Sequence, residues 1–249
     1  MKNFKKYSSI VLLIFLVLIK IQDSNFVRKV ENISYDAYQS LFIEKSNFDE
    51  VVIIDIDEKS IGEIGQFPWR RDIFADLIQK LNQYGVSVIT FDVFFSEEDK
   101  QNPKKILEEF NIKNDTVFDS DQKLLESIQS SNVILPVLGD ISMYNKDNSS
   151  KPKTNIISKG SDPSDYVYRF KNKITSLEKF NNAAKGVGTI SYLDSPDGVL
   201  RSLPIFLKIE DDIWPALSLE TLRVLHGHKS ILINSDETGI NLIKTRKYQ

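Results

Sequence analysis

Three short runs dominated by β-branched and other apolar residues, "VVIIDID" (51–57), "VSVITFDVFF" (86–95) and "NVILPVL" (132–138), alternate with two segments of helical period. Each run is too short for a helix and apolar on both faces, as a strand covered from both sides should be. In the first intervening segment Ile73, Phe74, Leu77, Ile78, Leu81 and Tyr84 fall on one stripe, and Gly85 offers a C-terminal stop. In the second, a helix over 119–130 turns Phe118, Leu124, Leu125 and Ile128 inward. Strand, helix, strand, helix, strand predicts a parallel βαβαβ core with right-handed crossovers.

Further along, "GVGTISYL" (186–193) and "VLRSLPIFLKI" (199–209) flank "DSPDG", which reads as a hairpin with Gly198 at positive φ. A helix over 216–225 follows Pro215, and "ILIN" with "GINLIK" reads as a closing hairpin. Residues 142–163, rich in Ser, Asn, Lys, Asp and Pro, read as a long solvated loop. The fold class expected is α/β, a mixed sheet whose parallel core is extended by antiparallel strands.

The N-terminus has a different character. Lys2, Lys5 and Lys6 precede the unbroken apolar run "IVLLIFLVLI" (10–19), a basic region followed by a hydrophobic one. Stretched over 7–21 it would rise about 22 Å as a helix, short of the ~30 Å hydrocarbon thickness, as a signal peptide would be. No A-x-A-like pair of small residues follows it, and Lys20 can snorkel, which favours a retained anchor over a cleaved signal. Either way residues 1–25 form a membrane anchor or signal segment and residues 26–249 are sent out of the cytoplasm. Between the two, Val30, Ile33, Ala37 and Leu41, with Tyr38 beside them, mark an amphipathic helix over 26–43.

Composition excludes whole classes of chemistry. With no cysteine, disulfides, zinc–thiolate sites and cysteine nucleophiles are absent, and two histidines, His226 and His228, argue against a multi-histidine metal site. Two apart at a helix end, these histidines share no helical face and read as surface or capping residues. Lys and Arg number 32 against 35 Asp and Glu, a net charge of −3, which gives no basic surface for nucleic acid. What remains is carboxylate, hydroxyl and arginine chemistry.

Asp55, Asp57 and Asp92 are expected at the C-terminal ends of neighbouring parallel strands, the edge where open α/β sheets bind ligands. In "IIDIDEKS" the hhhhDxDxxS pattern is similar to the nucleophile loop of haloacid-dehalogenase-like phosphatases, with Asp55 attacking, Asp57 as acid/base and Mg²⁺ assisting. Its Ser60 is one position off the usual hydroxyl, and Asp57 is better suited to cap the helix that begins "EKSIGEIG". The loop "FPWRR" sets Trp69 beside Arg70 and Arg71, so an arginine can stack on the indole and pair with Asp92 or Asp57. In "DSPDGVLR", Asp197 and Gly198 read as a turn with Arg201 reaching back rather than as a calcium loop.

Three ordered blocks, "VVIIDIDEKSIGEIGQFPWRR", "LNQYGVSVITFDVFFSEED" and "GVGTISYLDSPDGVLRSLPIF" with "WPALSLETL", carry a broader resemblance. The chain resembles the type-two CHASE family, the cyclases/histidine kinases associated sensory extracellular domain. Carried onto this sequence, the family pattern picks out Asp57, Ser60, Gly65, Pro68, Trp69 and Arg71, then Asp92 and Phe95, then Asp197, Gly198, Arg201 and Pro204. The resemblance implies the extracytoplasmic input domain of a membrane receptor. It also implies further membrane helices and a cytoplasmic kinase or nucleotide cyclase, before which "TRKYQ" reads as a truncation. Ligand-binding candidates are then Asp57, Ser60, Trp69, Arg71, Asp92, Asp197 and Arg201, with no catalytic set, metal set or cofactor implied. The partners expected are the membrane through residues 7–21, a small ligand of unknown identity and a second copy of the chain. The alternatives are an exported phosphatase using Asp55 and a partner-binding domain without ligand.

Overall fold

A computed structural model describes residues 25–42, 50–112, 116–140, 150–193 and 197–246, together with Tyr7, Ile10, Val11, Leu13, Ile14 and Val17. It divides into two compact units, Met1–Asp57 and Glu58–Gln249.

In the first unit helix α1 (Asn25–Leu41) forms where the 3,4-spaced apolar residues place it. The anchor expected over residues 7–21 falls largely outside the described residues. The six that are described there are helical and exposed, and among the described residues no helix is long and apolar enough to cross a membrane. The strand expected over 51–57 does not form. Val51, Val52 and Ile53 are 72%, 79% and 88% exposed and adopt no ladder. A β-branched run becomes a strand only when a neighbour supplies hydrogen bonds, and the described residues of this unit contain no second extended segment to do so.

The second unit opens with α2 (Glu58–Ile64) and α3 (Arg71–Gln83), and α3 ends as expected, with Gly85 at φ +81°. Strand β1 is shorter than expected, Ile89–Thr90, and the chain then runs irregularly to α4 (Pro103–Glu109) and α5 (Ser120–Gln129). Asp119 caps α5 by accepting from the Gln122 N–H, and Ser130 ends it. Strand β2 (Val133–Asp140), buried along most of its length, is the centre of the main sheet. It pairs in parallel with β1 (Ile89 opposite Val133) and with β6 (Gly186–Thr189; Ile134 opposite Gly186), and antiparallel with β5 (Asn172–Thr175). The α/β class and the mixed sheet therefore stand, with the parallel part made of β1, β2 and β6.

Two further sheets complete the unit. One joins β4 (Arg169–Phe170), β7 (Phe206–Ile209) and β8 (Asp212–Pro215). The other joins β3 (Asn155–Gly160), β9 (Ser230–Asp236) and β10 (Gly239–Arg246), the last two forming the expected closing hairpin. Three expectations need correction. Residues 142–163 are not all loop, since β3 pairs in parallel with β9. Residues 186–193 and 199–209 form no hairpin, because β6 is taken up by β2 while β7 pairs with β4 and β8. Pro215 ends a strand, and the helix, α6 being Glu178–Ala183 and α7 Leu217–Leu225, starts after Ala216.

Glycine lets α7 lie directly on β6. A Cβ at Gly188 would meet the Leu217 Cα at 2.6 Å, and one at Gly186 the Glu220 Oε1 at 2.7 Å. Glu220 is fully buried and held in a fork by Arg223, whose Nε donates to Oε2 at 2.8 Å and Nη2 to Oε1 at 2.6 Å. The Thr154 hydroxyl donates to Glu220, and Arg223 also donates to the carbonyls of His228 (2.6 Å) and Lys185 (3.1 Å). One ion pair thus ties α7 to β6, to the segment before β3 and to the start of β9. Glu220→Ala leaves the guanidinium buried and unpaired and should destabilise the fold by about 3–5 kcal/mol in urea unfolding. Glu220→Met with Arg223→Leu should recover part of that loss, because no buried charge is then left alone.

Candidate functional site

The sequence "GQFPWRR" folds back on itself before α3. Gly65, at φ +113°, follows α2, the Phe67–Pro68 peptide is cis, and the Trp69 indole N–H donates to the Gly65 carbonyl at 2.6 Å. Trp69, only 9% exposed, begins a row of rings running through Phe74 (6.1 Å) to Phe95 (5.2 Å from Phe74) and Phe180 (6.0 Å from Phe95). Arg70 turns outward to a two-pronged pair with Asp72 and lies over the Phe118 ring.

Arg71 is the first residue of α3, and Arg70 before it gives that helix no side-chain cap. The cap comes from 28 residues away: Asp99 Oδ2 accepts the Arg71 N–H at 2.9 Å and the Ser120 hydroxyl at 2.6 Å, while its Oδ1 accepts the Gln101 N–H. The Asp99 N–H donates to Asp121 Oδ2 at 3.2 Å, and Lys179 Nζ lies 3.5 Å from the same oxygen. Asn102, fully buried, caps α4 through its Oδ1 and donates to Asp119, the cap of α5. The starts of α3, α4 and α5 therefore meet, and three aspartates stand where the helix dipoles favour negative charge.

The Arg71 guanidinium lies 4.8 Å from the Phe95 ring centroid and donates through Nη2 to the Glu97 carbonyl. Its Nε and the Asp121 Oδ1 are buried with no hydrogen-bond partner among the described residues. Burial lowers the Arg71 pKa, opposed by Asp99, Asp121 and Glu97. Asp72 is held below the usual carboxylate range by its bond from Arg70. For Asp119 burial pushes upward, but the bonds from Asn102 and Gln122 win and hold it below its ordinary value.

Of the residues picked out from the sequence, the structure brings Trp69, Arg71 and Phe95 together. Asp92 is exposed, and the carboxylates acting on Arg71 are Asp99, Asp121 and Glu97 instead. β1 stops at Thr90, and the irregular chain after it carries Asp99, not Asp92, back to the start of α3. The arginine faces phenylalanine, not Trp69. Asp57 and Asp55 are exposed in the first unit and Ser60 is half-buried on α2. Without a strand over 51–57, the nucleophile-loop geometry read for Asp55 has no strand end to stand on.

Asp197 and Arg201 pair with each other as expected, through bonds of 3.0 and 2.8 Å across Gly198 at φ +71°. His226 and His228 do meet, contrary to the helical-face argument: Gly227 at φ +63° turns the chain and stacks the rings at 5.6 Å. Among the described residues no group of three or more His, Asp or Glu is arranged to hold a metal ion. Asp99, Asn102, Ser120, Asp121 and Lys179 were missed as site residues. "DSD" before the α5 stripe and "NP" before α4 are capping signals that point to Asp119 and Asn102. Nothing local marks Asp99.

The CHASE2 domain family matches residues 10–248. The chain belongs to the CHASE2 domain family. No curated protein and no solved structure matches it. CHASE2 domains are sensory, extracellular-type domains of signalling proteins, a family of sensors rather than catalysts.

Asp99→Ala removes three donors' acceptor at once and should cost about 2 kcal/mol or more in equilibrium unfolding. Asp72 and Asp119 have folded-state pKa values below their unfolded ones, so their contribution is complete above the unfolded value of about 3.9 and is lost as pH falls through the folded values. Melting temperature should therefore drop below about pH 4, with a shallower acid limb in Asp119→Asn.

Proposed function

We propose that this CHASE2 domain is the extracytoplasmic input domain of a membrane-bound receptor. In this reading residues 7–21 anchor it, and its signal passes to a cytoplasmic kinase or nucleotide cyclase outside these 249 residues. The observation that carries the reading is the family match over residues 10–248. The basic, then apolar, N-terminus supports the membrane placement.

The junction around Arg71 is the region best suited to respond. A ligand shifts a two-state domain only by its difference in affinity for the two arrangements, roughly 1–3 kcal/mol in coupled systems. At this junction one change of hydrogen-bond partner at Asp99 or Asp121 bears on the starts of α3 and α5 together.

The chain has no cysteine, so Lys100→Cys, at an exposed side chain, gives a single reporter thiol in the full gene product. A membrane-impermeant maleimide should label it in intact cells whose outer layer is permeable. Labelling only after lysis would place the domain in the cytoplasm and overturn the reading. Sequencing beyond codon 249 should run into membrane helices and a signalling domain.

A further inference from the structure

The two histidines of the chain meet on one turn. Gly227, at φ +63°, reverses the chain between the end of α7 and the start of β9 and leaves the His226 and His228 rings 5.6 Å apart between centroids. His226 is exposed and His228 half-buried. A ring nitrogen binds an ion such as Zn²⁺ at about 2.0–2.1 Å, so two imidazoles on one ion have centroids roughly 4.5–6.4 Å apart. We propose that this turn binds one divalent transition-metal ion, Cu²⁺ most tightly, through one nitrogen of each ring. The backbone already sets the separation. The ring planes lie 28° from parallel, so rotation of the exposed His226 side chain is what brings the two lone pairs onto one point.

His228 is already oriented for this role. Its Nδ1 lies 2.7 Å from the Thr245 hydroxyl oxygen on β10. In the tautomer that donates from Nδ1 to Thr245, Nε2 keeps its lone pair and a fixed direction, as outer hydrogen-bond partners impose on ligating histidines. The His226 ring makes no hydrogen bond among the described residues, so binding costs it no existing partner. No carboxylate completes a set of three with the pair among the described residues. Two neutral nitrogens, with water in the remaining positions, favour Cu²⁺ at the top of the divalent series over Mg²⁺ and Ca²⁺, which take oxygen ligands. The cations closest in sequence are Arg223, paired with Glu220, and Lys229; they oppose the ion's charge and keep binding moderate.

An ion on these rings acts on a turn that is tied into the fold. The His228 N–H donates to the Arg223 carbonyl at 2.9 Å, and the His228 carbonyl accepts from Arg223 Nη1 at 2.6 Å. Clamping the rings therefore holds the end of α7 against the start of β9, at the same arginine that grips Glu220.

The test uses the full 249-residue chain, purified in detergent, stripped with a chelator and dialysed against Cu²⁺. One ion per chain should bind, show two nitrogen couplings in its electron paramagnetic resonance spectrum and raise the melting temperature. Thr245→Val should weaken binding about tenfold. His226→Ala and His228→Ala should weaken it further and abolish the melting shift; His226 is exposed, so folding is not at stake there. Acidification from about pH 7.5 to about pH 5 should release the ion, because a ligating imidazole must be neutral. Copper held equally well by His226→Ala is an adventitious ion only and overturns the proposal, as does a wild-type chain that retains none. Half an ion per chain marks a site shared between two copies and overturns it too. None of these readouts depends on the side of the membrane, so failure here leaves the receptor reading standing.

Discussion

The Asp99 carboxylate holds the junction of the second unit together. Three helices start in one region, and each start leaves backbone N–H groups that must find acceptors. Two are served by their own caps, Asn102 and Asp119; α3 begins after an arginine, and its first N–H is served by Asp99. Because the same carboxylate accepts from Ser120, α3 cannot shift against α5 without breaking one of these bonds. Position, more than bond count, makes this residue consequential: it fixes two elements separated in sequence by the whole of β1 and α4.

Arg71 illustrates how far a sequence reading of such a site can go. Its ion-pairing role is visible in the sequence, because a doubled arginine beside tryptophan, before a helix and near acidic strand ends, suits a paired scaffold. Its partner is not. The reading toward Asp92 assumed that the run over 86–95 stays extended to its end, which would bring Asp92 to the sheet edge. The ladder stops at Thr90, and the chain loops to deliver Asp99 from a polar stretch without any period. Partnership across 28 residues depends on where a strand ends, and strand ends are set by neighbours rather than by the strand's own residues.

The same distinction separates the elements that were legible from those that were not. α3, α5 and the β9–β10 hairpin are specified by residues within a few positions: a stripe, a cap, a turn. β3 pairs with β9 across about seventy intervening residues and sits in a segment whose composition reads as loop. Residues 51–57 err in the opposite direction. Their β-branched content is as strand-like as that of β2, yet β2 lies between three partners and this run has none among the described residues of its own unit. Stacking of His226 on His228 is a smaller case, in which one glycine at positive φ undoes an argument from helical faces.

A polar junction that satisfies most of its own groups constrains how a CHASE2 domain can respond to anything. Most of the cluster is satisfied internally, so there is little to gain from a weak solute at its surface. The exceptions are Arg71 Nε and Asp121 Oδ1, a donor and an acceptor buried without hydrogen-bond partners among the described residues. Leaving such a group unpaired costs about 1–3 kcal/mol. That is the size of the coupling energies by which ligands shift two-state domains, about 1–3 kcal/mol. Any arrangement that pairs both groups recovers this cost, which narrows the gap between the closed junction and its alternatives. Arg71 opens α3 and Asp121 lies in the first turn of α5, so such an arrangement bears on both helix starts.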